Sequence, residues 1–89
     1  MATMERTEIF ATVCRHLAEI LEISAADISE TQTLADDLDA DSIALIELVD
    51  SLEQEFSDII PNFQFEDDDL SGLLTVADAV NYIALALAK

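Results

Sequence analysis

The sequence predicts an all-α domain, a small bundle of three main helices and one short helix, and three observations carry that expectation. Apolar residues recur at helical spacing in three separate segments. Glycine and proline fall to one each, Gly72 and Pro61, too few for the tight turns of an all-β domain. The 89 residues are 52% hydrophobic, which supplies one core but no length for a second, so residues 1–89 are expected to form a single domain. The same apolar content separates the chain from acidic disordered sequences, which lack the Leu, Ile and Val needed to offset chain entropy.

The first helix is expected from about Met4 to Leu21, where Phe10, Val13, Cys14, Leu17, Ile20 and Leu21 fall at i, i+3, i+4 and i+7. Ser24-Ala-Ala-Asp27 then reads as a short capping turn that returns Ile23 and Ile28 to the core. From Ser29 to Ala40 the chain is polar and acidic, and Leu34 and Leu38 are the anchors of a long loop. Loops of that length in small domains are usually functional. A second helix begins near Asp41, whose carboxylate can accept from the free N–H groups of the first turn and suits the positive end of the helix dipole. Leu45, Leu48, Val49, Leu52 and Phe56 form its apolar stripe, with Ile43 and Ile46 beside or off it. Glu47, Asp50 and Glu53 recur every third residue and predict an acidic ridge on the exposed surface.

Pro61 stops helical propagation after Phe56. The simplest assignment for residues 57–74 is a short helix from about Glu66 to Leu70, ended by Gly72. Thr75-Val-Ala-Asp78 is a capping box in its Asp form and opens the last helix, with Val76, Val80, Ile83 and Leu87 on one face.

Twenty Asp and Glu face only three Lys and Arg, for a net charge of −17. Between His16 and Ala88 there is no Lys or Arg at all. Such a field repels nucleic-acid phosphates and anionic lipid and steers the chain towards basic protein patches. The partners implied are proteins. The lone Cys14 cannot form an internal disulfide and falls in the apolar pattern of the first helix, as a buried structural thiol does. No apolar run approaches the ~18 residues of a membrane span, and the N-terminus lacks the basic start of a signal peptide, so a cytoplasmic protein is expected. Metal and hydrolase readings fail on pattern. Glu66-Asp-Asp-Asp69 lacks the alternate ligands and central glycine of a calcium loop, and Ser42 has no Gly-x-Ser-x-Gly elbow, while the only His, His16, lies on another helix.

Ser42 follows the capping Asp41 at the end of the long loop, where its hydroxyl meets solvent and a phosphate attached to it would face the positive end of a helix. That placement alone is common among serines. The surrounding segment is not: Leu34-Ala-Asp-Asp-Leu-Asp-Ala-Asp-Ser-Ile-Ala-Leu-Ile-Glu-Leu-Val-Asp-Ser-Leu-Glu-Gln-Glu-Phe56 resembles the phosphopantetheine attachment region of acyl carrier proteins. Ile60-Pro61 and Thr75-Val-Ala-Asp-Ala-Val-Asn-Tyr-Ile83 extend the resemblance, which spans roughly Phe10 to Leu87.

The resemblance implies an acyl-carrier-like fold and a non-catalytic, monomeric carrier. Ser42 would be modified with 4′-phosphopantetheine from coenzyme A by a phosphopantetheinyl transferase, with Asp41 capping the helix and helping that enzyme place the serine. Ile43, Ile46, Glu47, Asp50 and Glu53 would meet partner enzymes, among them acyltransferases and ketosynthases with basic docking patches. Leu48, Leu52, Ile60 and Ile83 are candidates to touch the acyl cargo or to be plain core, and a mobile 57–74 segment would admit that cargo.

The chain departs from the family pattern in several places. Asp39 stands where Gly is common, which calls for a left-handed Asp or a different turn. Ala44 stands where an acid is frequent and Asp50 where an apolar residue is frequent, and the segment after Pro61 is several residues longer and carries Phe63 and Phe65. The shifted ridge and the long segment favour a polyketide-type carrier over a fatty acid one. The rival class is an acidic helical inhibitor or nucleic-acid mimic that fills a basic groove and has no need of Ser42.

Overall fold

The computed structural model describes residues 5–60, 63–65 and 72–88. In chain order these form α1 (Arg6–Leu21), a 3-10 turn (Ala25–Asp27), α2 (Ser42–Phe56) and α3 (Val76–Ala88). No strand occurs among the described residues, whose one β-bridge joins Thr33 to Thr75. The short helix expected over 66–70 lies outside the described residues, as does Pro61.

α1 is the centrepiece, packing against both α2 and α3. Its buried residues Ile9, Val13, Cys14 and Leu17 lie on one side because they are spaced by three or four. α2 meets them with Leu48, Val49, Leu52 and Phe56, and α3 with Val76, Ala79, Val80 and Ile83. Both anchors of the long loop, Leu34 and Leu38, are buried in the same core, as their isolation in a polar stretch suggested. Cys14 is buried too, and burial, with the Glu30 carboxylate adding to it, pushes the thiol above its ordinary range and away from the reactive thiolate.

The end of α1 corrects one expectation. The helix closes on Glu22 in the left-handed conformation (φ 57°), with the Ile23 N–H donating to Ala18 O at 3.1 Å. That reversal leaves the Ile23 side chain in solvent, and only Ile28, brought in after the 3-10 turn, joins the core. Ser24 caps the turn by accepting from the Ala26 N–H.

The loop between the turn and α2 is tied to the start of α3 by a ladder. Leu34 N–H donates to Leu74 O (2.9 Å), Val76 N–H to Gln32 O (3.1 Å) and Ala77 N–H to Glu30 O (3.0 Å). Arg6 of α1 completes the tie with contacts to Glu30 and Asn81. At the head of α3 the capping box forms as the sequence implies: Asp78 accepts from Thr75 N–H (2.9 Å) and Leu74 N–H (3.0 Å), and Thr75 Oγ1 accepts from Asp78 N–H (3.2 Å). These N–H donors, that of Thr75 foremost, hold the Asp78 carboxyl below its usual range.

Beyond α2, Phe56, Phe63, Phe65 and Tyr82 gather into an aromatic cluster. Phe63 meets Phe56 and Phe65 edge-on, and Phe65 stacks on Tyr82 with ring centroids 4.4 Å apart. The Tyr82 hydroxyl donates to Gln64 O at 2.7 Å. Among the described residues of the 57–74 segment, Ile60, Phe63, Phe65 and Leu73 are buried, while Ile59 and Leu74 are exposed.

Candidate functional site

The approach to Ser42 is built by the loop folding on itself. Thr33 and Asp37 exchange backbone-to-side-chain hydrogen bonds, Thr33 N–H to Asp37 Oδ2 (2.9 Å) and Asp37 N–H to Thr33 Oγ1 (3.0 Å). Leu38 and Ala40 are buried, and Ala40 N–H donates to Leu34 O at 2.7 Å. Asp39, between them, takes the left-handed conformation with φ 61° and stays exposed. Of the two ways to accommodate an Asp at this turn, the chain uses the left-handed one, which Asp tolerates better than most residues.

Asp41 is extended (φ −77°, ψ −178°) and caps α2, its Oδ1 accepting from the Ala44 N–H at 2.9 Å. Ser42 is the first helical residue. It is exposed, and its hydroxyl makes no hydrogen bond among the described residues, so the oxygen is open to an incoming reagent. The N–H groups of Ser42 and Ile43 have no intrahelical acceptor at this end and face any anion attached there. A phosphodiester fits on both counts, a free hydroxyl in solvent and a helix start beneath it.

Beside Ser42 an open cleft of about 310 Å³ runs between the last turn of α1 and the first turns of α2, lined by Ile20, Leu21, Asp39, Asp41, Ile43, Ala44 and Glu47. Ile43 and Ile46 are 67% and 58% exposed, far beyond what core residues of α2 show. Glu47 and Asp50 are exposed and unpaired among the described residues. Glu53 differs from its neighbours on the expected ridge: it is half-buried, and its Oε2 accepts the Phe65 N–H at 2.8 Å. Leu48, Leu52, Ile60 and Ile83 are buried in the core.

Sequence reasoning overlooked Glu55. It receives Arg15 Nη2 at 2.7 Å and His16 Nε2 at 3.1 Å, clasping α1 to the far end of α2. The His16 hydrogen bond first, and Arg15 after it, hold the Glu55 carboxyl below its ordinary value. No local signal marks this contact, because its partners are 39 and 40 residues apart in sequence. Among the described residues no group of His, Cys, Asp and Glu is arranged to hold a metal ion, and no helix is long and apolar enough to cross a membrane.

Residues 11–83 match the family model described as phosphopantetheine attachment site. An acyl carrier protein of Lactobacillus acidophilus is 40% identical over 80 residues, covering 90% of this chain and 94% of that one. A meromycolate extension acyl carrier protein of Mycobacterium leprae is 36% identical over 76 residues, 85% of this chain and 62% of the relative. The solved structure of the acyl carrier protein from Enterococcus faecalis superposes with a TM-score of 0.73 at 32% identity, covering 93% of this chain and 99% of that one.

Proposed function

For this chain, which belongs to the acyl carrier protein family, we propose that Ser42 is the attachment point of its 4′-phosphopantetheine arm. The chain is a non-catalytic carrier, and the reading of an acidic inhibitor or nucleic-acid mimic is set aside by the family match. The arm supplies a terminal thiol that holds an acyl group as a thioester. What this chain's residues contribute is placement. The observation that carries Ser42 is its position: an exposed, unengaged hydroxyl on the first residue of α2, one residue after the capping Asp41.

Asp41 acts first through the backbone. By satisfying the Ala44 N–H it fixes where α2 starts, and with it the direction of the Ser42 hydroxyl. Exposed Ile43 and Ile46 form an apolar contact for the transferase and for acyl-processing enzymes such as acyltransferases and ketosynthases, flanked by Glu47 and Asp50. Exposed charges of this kind add little affinity per pair but raise the rate of encounter. Glu53 contributes less to that face, because one of its oxygens already holds Phe65.

On cargo, the reading is a monomeric cytoplasmic carrier of specialised, polyketide-type biosynthesis rather than of general fatty acid synthesis. It is supported by Asp50 on the ridge, Ala44 in place of an acid and the Phe63 and Phe65 segment, while the relative whose name specifies meromycolate extension supports only the specialised part of the reading, on the side of lipid synthesis. The attachment site is tested by incubating the chain with coenzyme A and a broad-specificity phosphopantetheinyl transferase and recording intact mass. The wild type gains one phosphopantetheine and Ser42→Ala gains none; equal gain by both removes Ser42 from the role.

A further inference from the structure

α2 and α3 both pack on α1 but, among the described residues, their backbones do not approach each other. What joins them at the far end of α2 is the strip Phe63-Gln64-Phe65. Glu53 of α2 accepts the Phe65 N–H at 2.8 Å, and Tyr82 of α3 donates to Gln64 O at 2.7 Å, so two consecutive residues are pinned from the two helices. The rings repeat the arrangement. Phe63 lies 6.0 Å from Phe56 of α2 and 6.0 Å from Tyr82 of α3, while Phe65 stacks on Tyr82. Both phenylalanines are buried, in the same core as Leu48, Leu52 and Ile83.

An apolar group tethered at the start of α2 enters the core with least disruption between α2 and α3, because parting these two leaves both contacts with α1 intact. On that route Glu53 and the aromatic bridge lie about three turns, or about 16 Å, beyond Ser42. We infer that the bridge sets the class of cargo: it closes the seam between α2 and α3 to long acyl chains, and Phe65 determines the limit. The cargo is then a short acyl group. A long chain gains no burial by replacing rings that are already out of water, and its entry strands the Phe65 N–H and the Gln64 carbonyl. A short chain ends before it meets them. The inference rests on Ser42 carrying the arm and deepens that reading by naming the chemical class the arm holds.

The test loads butyryl-, octanoyl- and dodecanoyl-phosphopantetheine from the corresponding coenzyme A thioesters and confirms each product by intact mass. Hydroxylamine cleavage of each carrier thioester is then timed against the free coenzyme A thioester. Each methylene that enters an apolar interior favours the sheltered state roughly fourfold, so a chain with room to enter is cleaved more slowly as it lengthens. For the wild type, the relative rates of the three forms are expected to agree within about twofold. Phe65→Ala opens ring-sized space and is expected to slow the dodecanoyl form about fivefold or more relative to the butyryl form. Phe65→Leu follows the same trend to a smaller degree and serves if the alanine variant does not fold. Ile28→Ala truncates the core outside the bridge and keeps the flat profile of the wild type. A wild-type profile that falls by more than about twofold with chain length overturns the inference. So does a folded Phe65 variant no steeper than the wild type, or an Ile28→Ala as steep as the Phe65 variant. A wild type that gains no acyl-phosphopantetheine, or a Ser42→Ala that gains as much, removes instead the reading of Ser42, and this one with it.

Discussion

The two ends of α2 carry the same kind of residue and use it in opposite ways. At the N-terminal end, isoleucines 43 and 46 are in solvent and the carboxylates of Glu47 and Asp50 are unpaired among the described residues. At the C-terminal end Phe56 is wholly buried, Glu53 holds the Phe65 N–H, and Glu55 clasps Arg15 and His16 of α1. One helix thus divides its acids between availability and architecture. A highly acidic surface does not mean that each acid is there for recognition; an acid with a cation or a free N–H within reach becomes part of the fold.

The sharpest way to break the contrast is to remove one large apolar side chain from each end. Phe56→Ala should cost about 3–5 kcal/mol, because the ring is buried against Phe63 and its loss leaves a cavity. Ile46→Ala should stay within about 0.5 kcal/mol. Urea denaturation of both checks the pair, and similar losses would show that the N-terminal end is core after all.

A smaller effect is expected for the acids. Glu53→Ala strands the half-buried Phe65 amide and should destabilise by about 1–2 kcal/mol, whereas Glu47→Ala should leave the denaturation midpoint nearly unchanged. Equal midpoints for the two variants would mean that Glu53 belongs with the free ridge.

The smallest effect concerns pH. Because Glu55 has its folded-state pKa lowered from an ordinary 4.5, its contribution is fully present above about 4.5 and fades as pH falls below that value towards the folded pKa. The carboxylate is well exposed, so screening holds the effect below about 1 kcal/mol. Glu55→Gln should therefore lower the thermal midpoint slightly at pH 7 and converge with the wild type in acid. A gap that widens on acidification would contradict the clasp.

Much of this molecule was legible before any coordinates. The spacing of Val13, Cys14 and Leu17, of Leu48, Leu52 and Phe56, and of Val76, Val80 and Ile83 gives three helices and their buried faces, because helical periodicity is a local property. The Asp41 cap and the Thr75–Asp78 box were legible for the same reason, each involving residues within one turn. The pattern around Ser42 carried the family likeness. What local pattern could not give was the partner of a side chain that reaches across the bundle. Glu53 and Glu55 sit in the same acidic run, yet one turns to an amide 12 residues later and the other to a helix some 40 residues earlier. Ile23 has the composition of a core residue and was put in solvent by the reversal at Glu22. Asp39 stood out in the sequence only as an unusual turn residue; packing of Leu38 and Ala40 on either side made it left-handed and aimed it at the cleft. Sequence alone determined the elements and the serine they present, since those depend on neighbours along the chain. Tertiary structure decided which charges remain free to meet a partner, since a carboxylate's fate depends on what folding brings within hydrogen-bond reach.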